Sequence, residues 1–554
     1  RELESAGPHS DEVRSTVKDA TNLLSKRQIH GYEAIDPGNA KMRALAADVL
    51  DNGAWRMAWI PPSLPYYELA GPYAEDSLRH FTKRLVFSAW NVVPKAISSV
   101  LSYEAERRLR ERAGSDARRY DAARQRGLLA FSRTEGRLTG MPVLALLYPC
   151  AALAMAGDPL YVARRLGEVA PLDRATLVRE VRKEVEELLA DLPEGPLTGP
   201  VDDSWYWAAP VLFDQQRLDL PIGDAVDLQY GDEWGSDDTG TVFDEHLARA
   251  AEVDAEALGR RPEDLVEVLT QMALGGLGVC ALRALSRVTV GLEDMRDFDV
   301  RNHASSISWA LRNLLNQPEM MALIRGSADD GSAYWKDVLA HCVDGCLTSV
   351  LDEYAHVLNE ALGVAQKSDA EKAAAIAGEM SDAMGMRASV NRATDLRVSR
   401  GELIMEPFSI RNHFAVRFGR GVTEDQSLAR EGQVRQAFNS PFWPFVLSST
   451  SVGQEGLDFH PYSHAVVHWN LPSNPVDLEQ REGRVHRYKG HAVRRNIALD
   501  YGSHPDVARA DDPWGAMFDL ALADRPAGQT MIYPYWVYPK ADGYQIERYV
   551  PALP

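Results

Sequence analysis

Residues 449–490 constrain what this chain can fold into more than any other stretch of it. They open on a polar loop with two glycines, Gly453 and Gly456, and glycine lets a backbone approach a ligand closely or take a positive φ. Asp458 then places a carboxylate at the loop exit. The apolar run over 464–469 is long enough for a buried parallel strand. The stretch therefore predicts a strand and loop of an α/β fold with a ligand-facing loop.

The second half of this stretch predicts a helix that presents positive charge. A turn marked by prolines leads into it, and Pro475 suits the first helical turn. Gln480, Arg484 and Arg487 are spaced i, i+4 and i+7, so they would share one helix face. Arginines on one face, beside a glycine loop at the ends of parallel strands, favour an anionic ligand that bears phosphate.

These forty residues resemble motifs V and VI of superfamily 2 helicases and translocases. The family pattern Q-R-x-G-R-x-x-R fits Gln480, Arg481, Gly483, Arg484 and Arg487. The order E-G-L-D-F, W-N-L-P-S-N-P and E-Q-R is most similar to the Swi/Snf-like translocases, and within them to the bacterial branch. The resemblance implies the second RecA-like lobe of an ATP-driven motor on double-stranded DNA.

The resemblance also assigns roles to residues. Arg484 and Arg487 would be the catalytic arginine fingers that reach the γ-phosphate of ATP, although a salt bridge within the lobe is an alternative role for Arg481 and Arg487. The residues expected to contact the nucleotide or shape its loop are Gln480, Arg481, Gly453, Glu455, Gly456 and Asp458. The residues expected to face the nucleic acid are Ser88, Trp90, Ser449 and Thr450.

Composition limits the class of protein. A net charge of −20 over 554 residues excludes a general polyanion-binding surface, so nucleic acid would need a local basic groove. Four cysteines are too few for a disulfide framework and predict a cytoplasmic location. Cys342 and Cys346 lie beside His341, but a zinc site needs a fourth ligand that we do not find, so buried core thiols are predicted. No signal peptide or membrane span is expected.

The pattern of elements predicts an α/β fold in which a RecA-like parallel-sheet lobe is interrupted by a large, mostly α-helical insertion. The strand Arg84–Ser88 and the helix over 93–112 resemble the opening unit of the second lobe. The predicted parts are a helical and extended lead-in at 1–80, the discontinuous lobe at 81–112 and 403–505, the insertion at 113–402 and a surface tail at 506–554.

The individual elements are predicted as follows. The lobe strands after the insertion are expected at 413–418, 444–448, 464–469 and 496–501, with a helix at 425–438. The insertion helices are expected at 118–132, 141–156, 173–191, 242–290, 303–325, 334–364 and 369–386, around an acidic loop region at 192–240. We expect the insertion, over 113–405, to be a separate body whose removal leaves the lobe able to fold.

The motifs of a first motor lobe are missing from the sequence. There is no Gly-Lys dipeptide and so no phosphate loop of the G-x-x-x-x-G-K-[ST] type. The run D-E-Y-A-H at 352–356 is similar to the metal-binding D-E-x-H, but it has an extra residue and lies in an amphipathic pattern that predicts a structural helix. The first lobe, with the ligands of Mg²⁺, is expected from a longer polypeptide or from a partner chain. The chain alone is expected to be inactive as an ATP hydrolase.

Two other functions stay open at this stage. The chain could be a non-catalytic module that binds protein partners through the insertion, or the lobe of an RNA-directed helicase. The intact arginines favour a motor, and the W-N-L-P-S-N-P turn favours duplex DNA by analogy. Anti-phage defence is the expected pathway, because large insertions into bacterial motors are frequent there.

Overall fold

The computed structural model describes most of the chain. The described residues are 15, 17, 24–114, 127–222, 237–326, 332–399, 402–419, 424–450 and 457–551. The strands are β1 (Arg84–Ser88), β2 (Ser132–Thr134), β3 (Arg137–Thr139), β4 (Ser389–Ser399), β5 (Glu402–Asn412), β6 (Ala415–Phe418), β7 (Val446–Thr450), β8 (Ala465–His468) and β9 (Glu547–Tyr549).

Most of the remaining described residues are helical. The α-helices span Lys26–His30, Ala40–Ala46, Asp76–Arg79, Val92–Arg112, Met141–Leu147, Ala151–Ala156, Pro159–Leu166, Arg174–Ala190, Trp205–Leu218, Asp237–Ala251, Leu265–Gly275, Leu277–Val288, Phe298–Leu315, Pro318–Arg325, Tyr334–Asp344, Leu347–Ala361, Asp369–Met384, Glu424–Phe438, Pro475–Glu482, His491–Tyr501, Pro505–Arg509 and Pro513–Ala523.

A five-stranded sheet in the order β6-β7-β1-β8-β9 forms the centre of the lobe, and all neighbouring strands in it are parallel. β1 and β8 are buried along their whole length, as parallel strands covered on both faces must be. The predicted α/β class is confirmed, and β1 has the predicted bounds. β7 lies between β6 and β1.

The C-terminal side of the lobe differs from the prediction. Residues 496–501 were expected to form the last strand, but they belong to the helix His491–Tyr501. The fifth strand is instead β9, from the segment predicted to be a surface tail, and Glu547 N donates to His464 O at 2.8 Å where it joins the sheet. A short apolar run is compatible with strand or helix, and residues 491–498 are all buried, so their burial pattern does not distinguish the two.

The insertion is mostly helical, as predicted, with additions. The pairs β2–β3 and β4–β5 form separate two-stranded sheets, and the helix Trp205–Leu218 lies in the predicted acidic loop. Of the helix predicted at 118–132, residues 118–126 lie outside the described part of the chain, and the described remainder is not helical. Leu265–Val288 is apolar and long enough for a membrane span, but it packs as a core helix pair with 83% of the most apolar window buried.

One hydrophobic core runs through the lead-in, the insertion and the lobe. This core is the largest cluster of buried apolar side chains, and it includes Trp59 of the lead-in, Leu339 of the insertion and Phe442 of the lobe. Trp59 Nε1 donates to Gly345 O at 3.1 Å, and the Trp59 and Phe442 rings meet edge to face with centroids 6.3 Å apart. The insertion therefore shares buried contacts with the lead-in and the lobe, although none of its described strands joins the five-stranded sheet. That the lobe folds without the insertion stays a prediction from the sequence.

Candidate functional site

The carboxyl ends of the sheet strands gather the residues predicted to face nucleic acid. The register pairs Ser88 with Thr450 and Phe87 with Ser449, so both strands end at one edge. The side chains of Ser88 and Ser449 are buried there, and Ser88 Oγ accepts a hydrogen bond from Trp90 N at 3.1 Å. Trp90 is 60% exposed. Of the four residues predicted to face nucleic acid, Trp90 and the half-buried Thr450 are therefore the accessible ones.

The loop that follows β7 is only partly described. Gly453, Glu455 and Gly456, predicted to contact the nucleotide or shape this loop, lie outside the described residues. The described chain resumes at Leu457, and Asp458 follows at the loop exit. Asn439 Nδ2 donates to Asp458 O at 3.0 Å and ties this exit to the end of the helix Glu424–Phe438.

The helix Pro475–Glu482 begins as the sequence predicts and ends sooner. Asn474 Oδ1 accepts from Val476 N at 3.0 Å and caps its start. The helix stops before Arg484 and Arg487, so the predicted shared face with Gln480 is wrong. Gly483 lowers helix propensity, and the Arg484 carbonyl accepts from Phe459 N at 2.9 Å instead of an amide one turn further along.

The turn nevertheless brings both predicted arginine fingers to the loop exit. Arg487 Nε donates to Asp458 Oδ1 at 2.7 Å, and Arg484 Nη1 donates to Leu457 O at 3.0 Å. The Arg487 and Asp458 side chains are 39% and 43% exposed. A half-exposed ion pair stabilises a fold by at most about 1 kcal/mol, so another anion can replace Asp458 with little loss.

Gln480 and Arg481 differ in what they can contact. Gln480 is exposed on the helix surface. Arg481 is 5% exposed, donates from Nη1 to Asn470 O at 3.0 Å and lies 5.6 Å from the centre of the Phe87 ring. Burial lowers the pKa of the Arg481 guanidinium below its ordinary value, although arginine stays protonated in proteins. Arg481 thus supports the strand ends, through a carbonyl rather than the salt bridge considered from the sequence.

The helix Leu347–Ala361 contains the D-E-Y-A-H run, as predicted for a structural segment. Glu353 and His356 on it are buried, and Glu353 Oε1 accepts from Arg494 Nε at 2.9 Å. Lys489 Nζ lies 3.3 Å from His356 Nε2. Sequence reasoning missed this contact between the insertion and the segment after Arg487. No pattern in the sequence signals this contact, because His356 and Lys489 lie 133 residues apart.

The described residues hold no metal centre. No group of three or more His, Cys, Asp or Glu side chains in them could hold a metal ion. Cys342 and Cys346 are buried free thiols, as the sequence predicts, and burial raises the pKa of Cys346 to about 11. His341 Nε2 lies 3.0 Å from Tyr73 OH, and burial lowers its pKa to about 4.

Comparison with known proteins agrees with this geometry. Residues 422–489 match the family of the helicase conserved C-terminal domain. The matched region contains β7, β8, the helix Pro475–Glu482 and both arginines. No curated protein and no solved structure matches the chain. Residues 422–489 of the parallel-sheet lobe are therefore similar to a helicase C-terminal domain.

Proposed function

We propose that this chain is the second motor lobe of an ATP-dependent DNA translocase of the Swi/Snf-like branch. One observation supports this most: two guanidinium groups, Arg484 and Arg487, lie at the loop exit of a helicase C-terminal lobe, and Asp458 holds Arg487 through an exchangeable, half-exposed pair. The nucleotide would bind between this edge and a first lobe that supplies the phosphate loop and the Mg²⁺ ligands.

The donor set at this edge fits the phosphates of ATP. Arg487 Nε donates to Asp458 Oδ1, and Nη1 has only a 3.4 Å contact with His486 O. A planar, permanently charged guanidinium can donate two parallel hydrogen bonds to phosphate oxygens. In our proposal Arg487 exchanges Asp458 for the transferring phosphoryl group and stabilises the charge that spreads over its oxygens, with Arg484 beside it. Gln480, exposed one turn earlier, orients groups near the phosphates or sugar.

Double-stranded DNA would pass the carboxyl edge of β1 and β7. Trp90 and Val92 are 60% and 69% exposed there, and Thr450 begins the loop toward Asp458. A DNA strand bound at Thr450 and an ATP phosphate bound at Arg487 would lie at opposite ends of the segment 450–458, which the sequence predicts to be a loop. In our proposal this loop couples nucleic acid to nucleotide.

The test is a phosphate-release assay with duplex DNA on this chain supplied with a first lobe. Replacing Arg487 with Ala should lower kcat by about 10³- to 10⁵-fold with nearly unchanged ATP binding, since the finger acts on the transition state. Arg487→Lys should restore little of the lost kcat, because an ammonium group cannot donate two parallel hydrogen bonds to the phosphate oxygens as a guanidinium does. The matched control is Arg182→Ala, a half-exposed arginine paired with Glu186 at 3.0 Å on an insertion helix.

Two results would contradict the proposal. Loss of ATP affinity with unchanged turnover would remove the finger role from Arg487. An absence of DNA-stimulated hydrolysis in the assembled motor would favour the non-catalytic protein-binding module, and stimulation by RNA but not by DNA would favour the RNA-directed helicase. The chain without a first lobe should release no phosphate, whether DNA or RNA is added.

A further inference from the structure

Lys489 is a buried cation two residues beyond Arg487. It is 7% exposed, and its ammonium group pairs with Glu360 of the insertion and lies 3.9 Å from the centre of the Phe518 ring. Burial lowers the pKa of this ammonium below its ordinary value, while Glu360 opposes the shift. A buried ammonium is stable only with such partners, so the side chain has one well-defined place.

The backbone of Lys489 is held as firmly as its side chain. Its φ is +45°, in the left-handed region that a residue with a Cβ seldom adopts. Lys489 N donates to Tyr535 O at 2.7 Å, and Lys489 O accepts from Arg494 Nη1 at 2.8 Å. Strained backbone of this kind persists where the surrounding contacts over-determine it, and it clusters at functional sites.

The charged partners of Lys489 and Arg494 come from one face of an insertion helix. Glu353, His356 and Glu360 follow each other at i, i+3 and i+7 on the helix Leu347–Ala361, and so share a face. Glu360 holds Lys489, and Glu353 holds Arg494 at 2.9 Å with both side chains nearly fully buried. The insertion therefore touches both the ammonium of Lys489 and the arginine that binds its carbonyl.

We propose that Glu360 is a positioning residue for Arg487, acting through Lys489, so that the insertion sets whether Arg487 reaches the nucleotide. The inference rests on the proposed function. Two residues span at most about 7 Å, so Lys489 and Arg487 are close neighbours along the chain. In this proposal, loss of the Glu360 contact weakens one of the restraints on the left-handed turn, and the Arg487 backbone shifts with it. A displacement near 1 Å is enough to lower a rate by about 100-fold.

The experiment replaces Glu360 with Gln in this chain supplied with the first lobe and duplex DNA. The expected result is a kcat about 10- to 100-fold lower with a KM for ATP within about twofold, because the finger acts in the transition state. Glu360→Lys combined with Lys489→Glu should restore part of kcat. The control is Asp264→Asn, which breaks the Lys336–Asp264 pair of 2.6 Å inside the insertion and should leave kcat unchanged.

Hydrogen exchange of the chain alone supplies a second readout, without ATP hydrolysis. Glu360→Gln should speed amide exchange about tenfold or more over 484–490, and Asp264→Asn should not. If the wild-type motor is active and Glu360→Gln changes neither kcat nor the rate of amide exchange, this inference alone is overturned. If the wild-type motor does not hydrolyse ATP, the proposed function is overturned and this inference with it. An equal rise in KM and fall in kcat would show a general loss of structure and would also overturn the positioning role.

Discussion

At the scale of single residues, the proposed function makes Asp458 a competitor of phosphate for Arg487. The pair is 2.7 Å long and half-exposed, so it holds Arg487 in place with little free energy. Asp458→Asn should therefore tighten ATP binding to the isolated chain about two- to fivefold at low salt, and the gain should shrink at high salt. Titration with a fluorescent ATP analogue measures it. Asp506→Asn, which breaks the exposed Asp506–Arg509 pair of 3.1 Å, is the control. Weaker binding by Asp458→Asn would show that Asp458 belongs to the nucleotide site.

The sequence predicted which residues meet here better than it predicted how. Asp458, Arg484 and Arg487 come together as the motif spacing suggested, but in a turn and not on one helix face. Helical spacing assumes that a helix continues, and here Gly483 and the bond from Phe459 N to Arg484 O end it. Lys489 could not be singled out, because its partner Glu360 lies over a hundred residues away in the sequence.

At the scale of elements, β9 closes one edge of the sheet through Glu547. Glu547 Oε1 lies 3.7 Å from His464 Nε2, Glu547 Oε2 lies 3.8 Å from Arg84 Nη1, and Tyr549 OH donates to Oε2 at 2.8 Å. Although burial opposes it, these partners lower the pKa of Glu547 to about 2 from an ordinary 4.5. Its stabilising effect is therefore present above pH 4.5 and lost as pH falls toward 2.

Glu547→Gln should consequently lower the free energy of unfolding by about 1 kcal/mol at pH 7, the upper range for a partly exposed pair. The difference from the wild type should shrink when urea unfolding is repeated near pH 3. The control is Glu479→Gln, on the exposed surface of the helix Pro475–Glu482, which should leave the midpoint of urea unfolding unchanged at pH 7 and at pH 3. A difference that grows on acidification would contradict the assignment of the effect to ionised Glu547.

The strands β1, β7 and β8 were predictable because each contains a short apolar run in an α/β pattern. β9 was not, since its three residues, Glu-Arg-Tyr, are polar and gain their place from His464 and Arg84. The hairpin β4–β5 was missed for a related reason. Its exposed face carries residues such as Arg392 and Thr394, and their alternation with partly buried side chains emerges only from the packing.

At the scale of the whole molecule, the insertion and the lobe share one hydrophobic core. Trp443 Nε1 donates to Met57 O at 2.8 Å, and Arg494 of the lobe is paired with Glu353 of the insertion where both are buried. The sequence shows only that the alternation of strands and helices is interrupted, and such an interruption suggests an insertion that folds apart from the lobe. The shared core was not predictable, because apolar helix faces do not reveal which partner they pack against.

Deletion of 113–402, with a short linker in its place, should therefore leave a lobe that does not fold. It would uncover apolar residues of the shared cluster such as Phe442 and Trp443, and it would leave Arg494 buried without Glu353, a loss of about 3–5 kcal/mol for one broken buried pair. That alone is comparable to the stability of a small domain. Circular dichroism and light scattering should show lost cooperativity and aggregation. The control shortens β4–β5 by replacing 396–405 with the two-residue turn Asn-Gly, because Asp395 and Glu406 are opposite each other in the strand register, and it should keep one cooperative transition. A soluble lobe that unfolds cooperatively without 113–402 would show that the shared core is an interface between two independent domains.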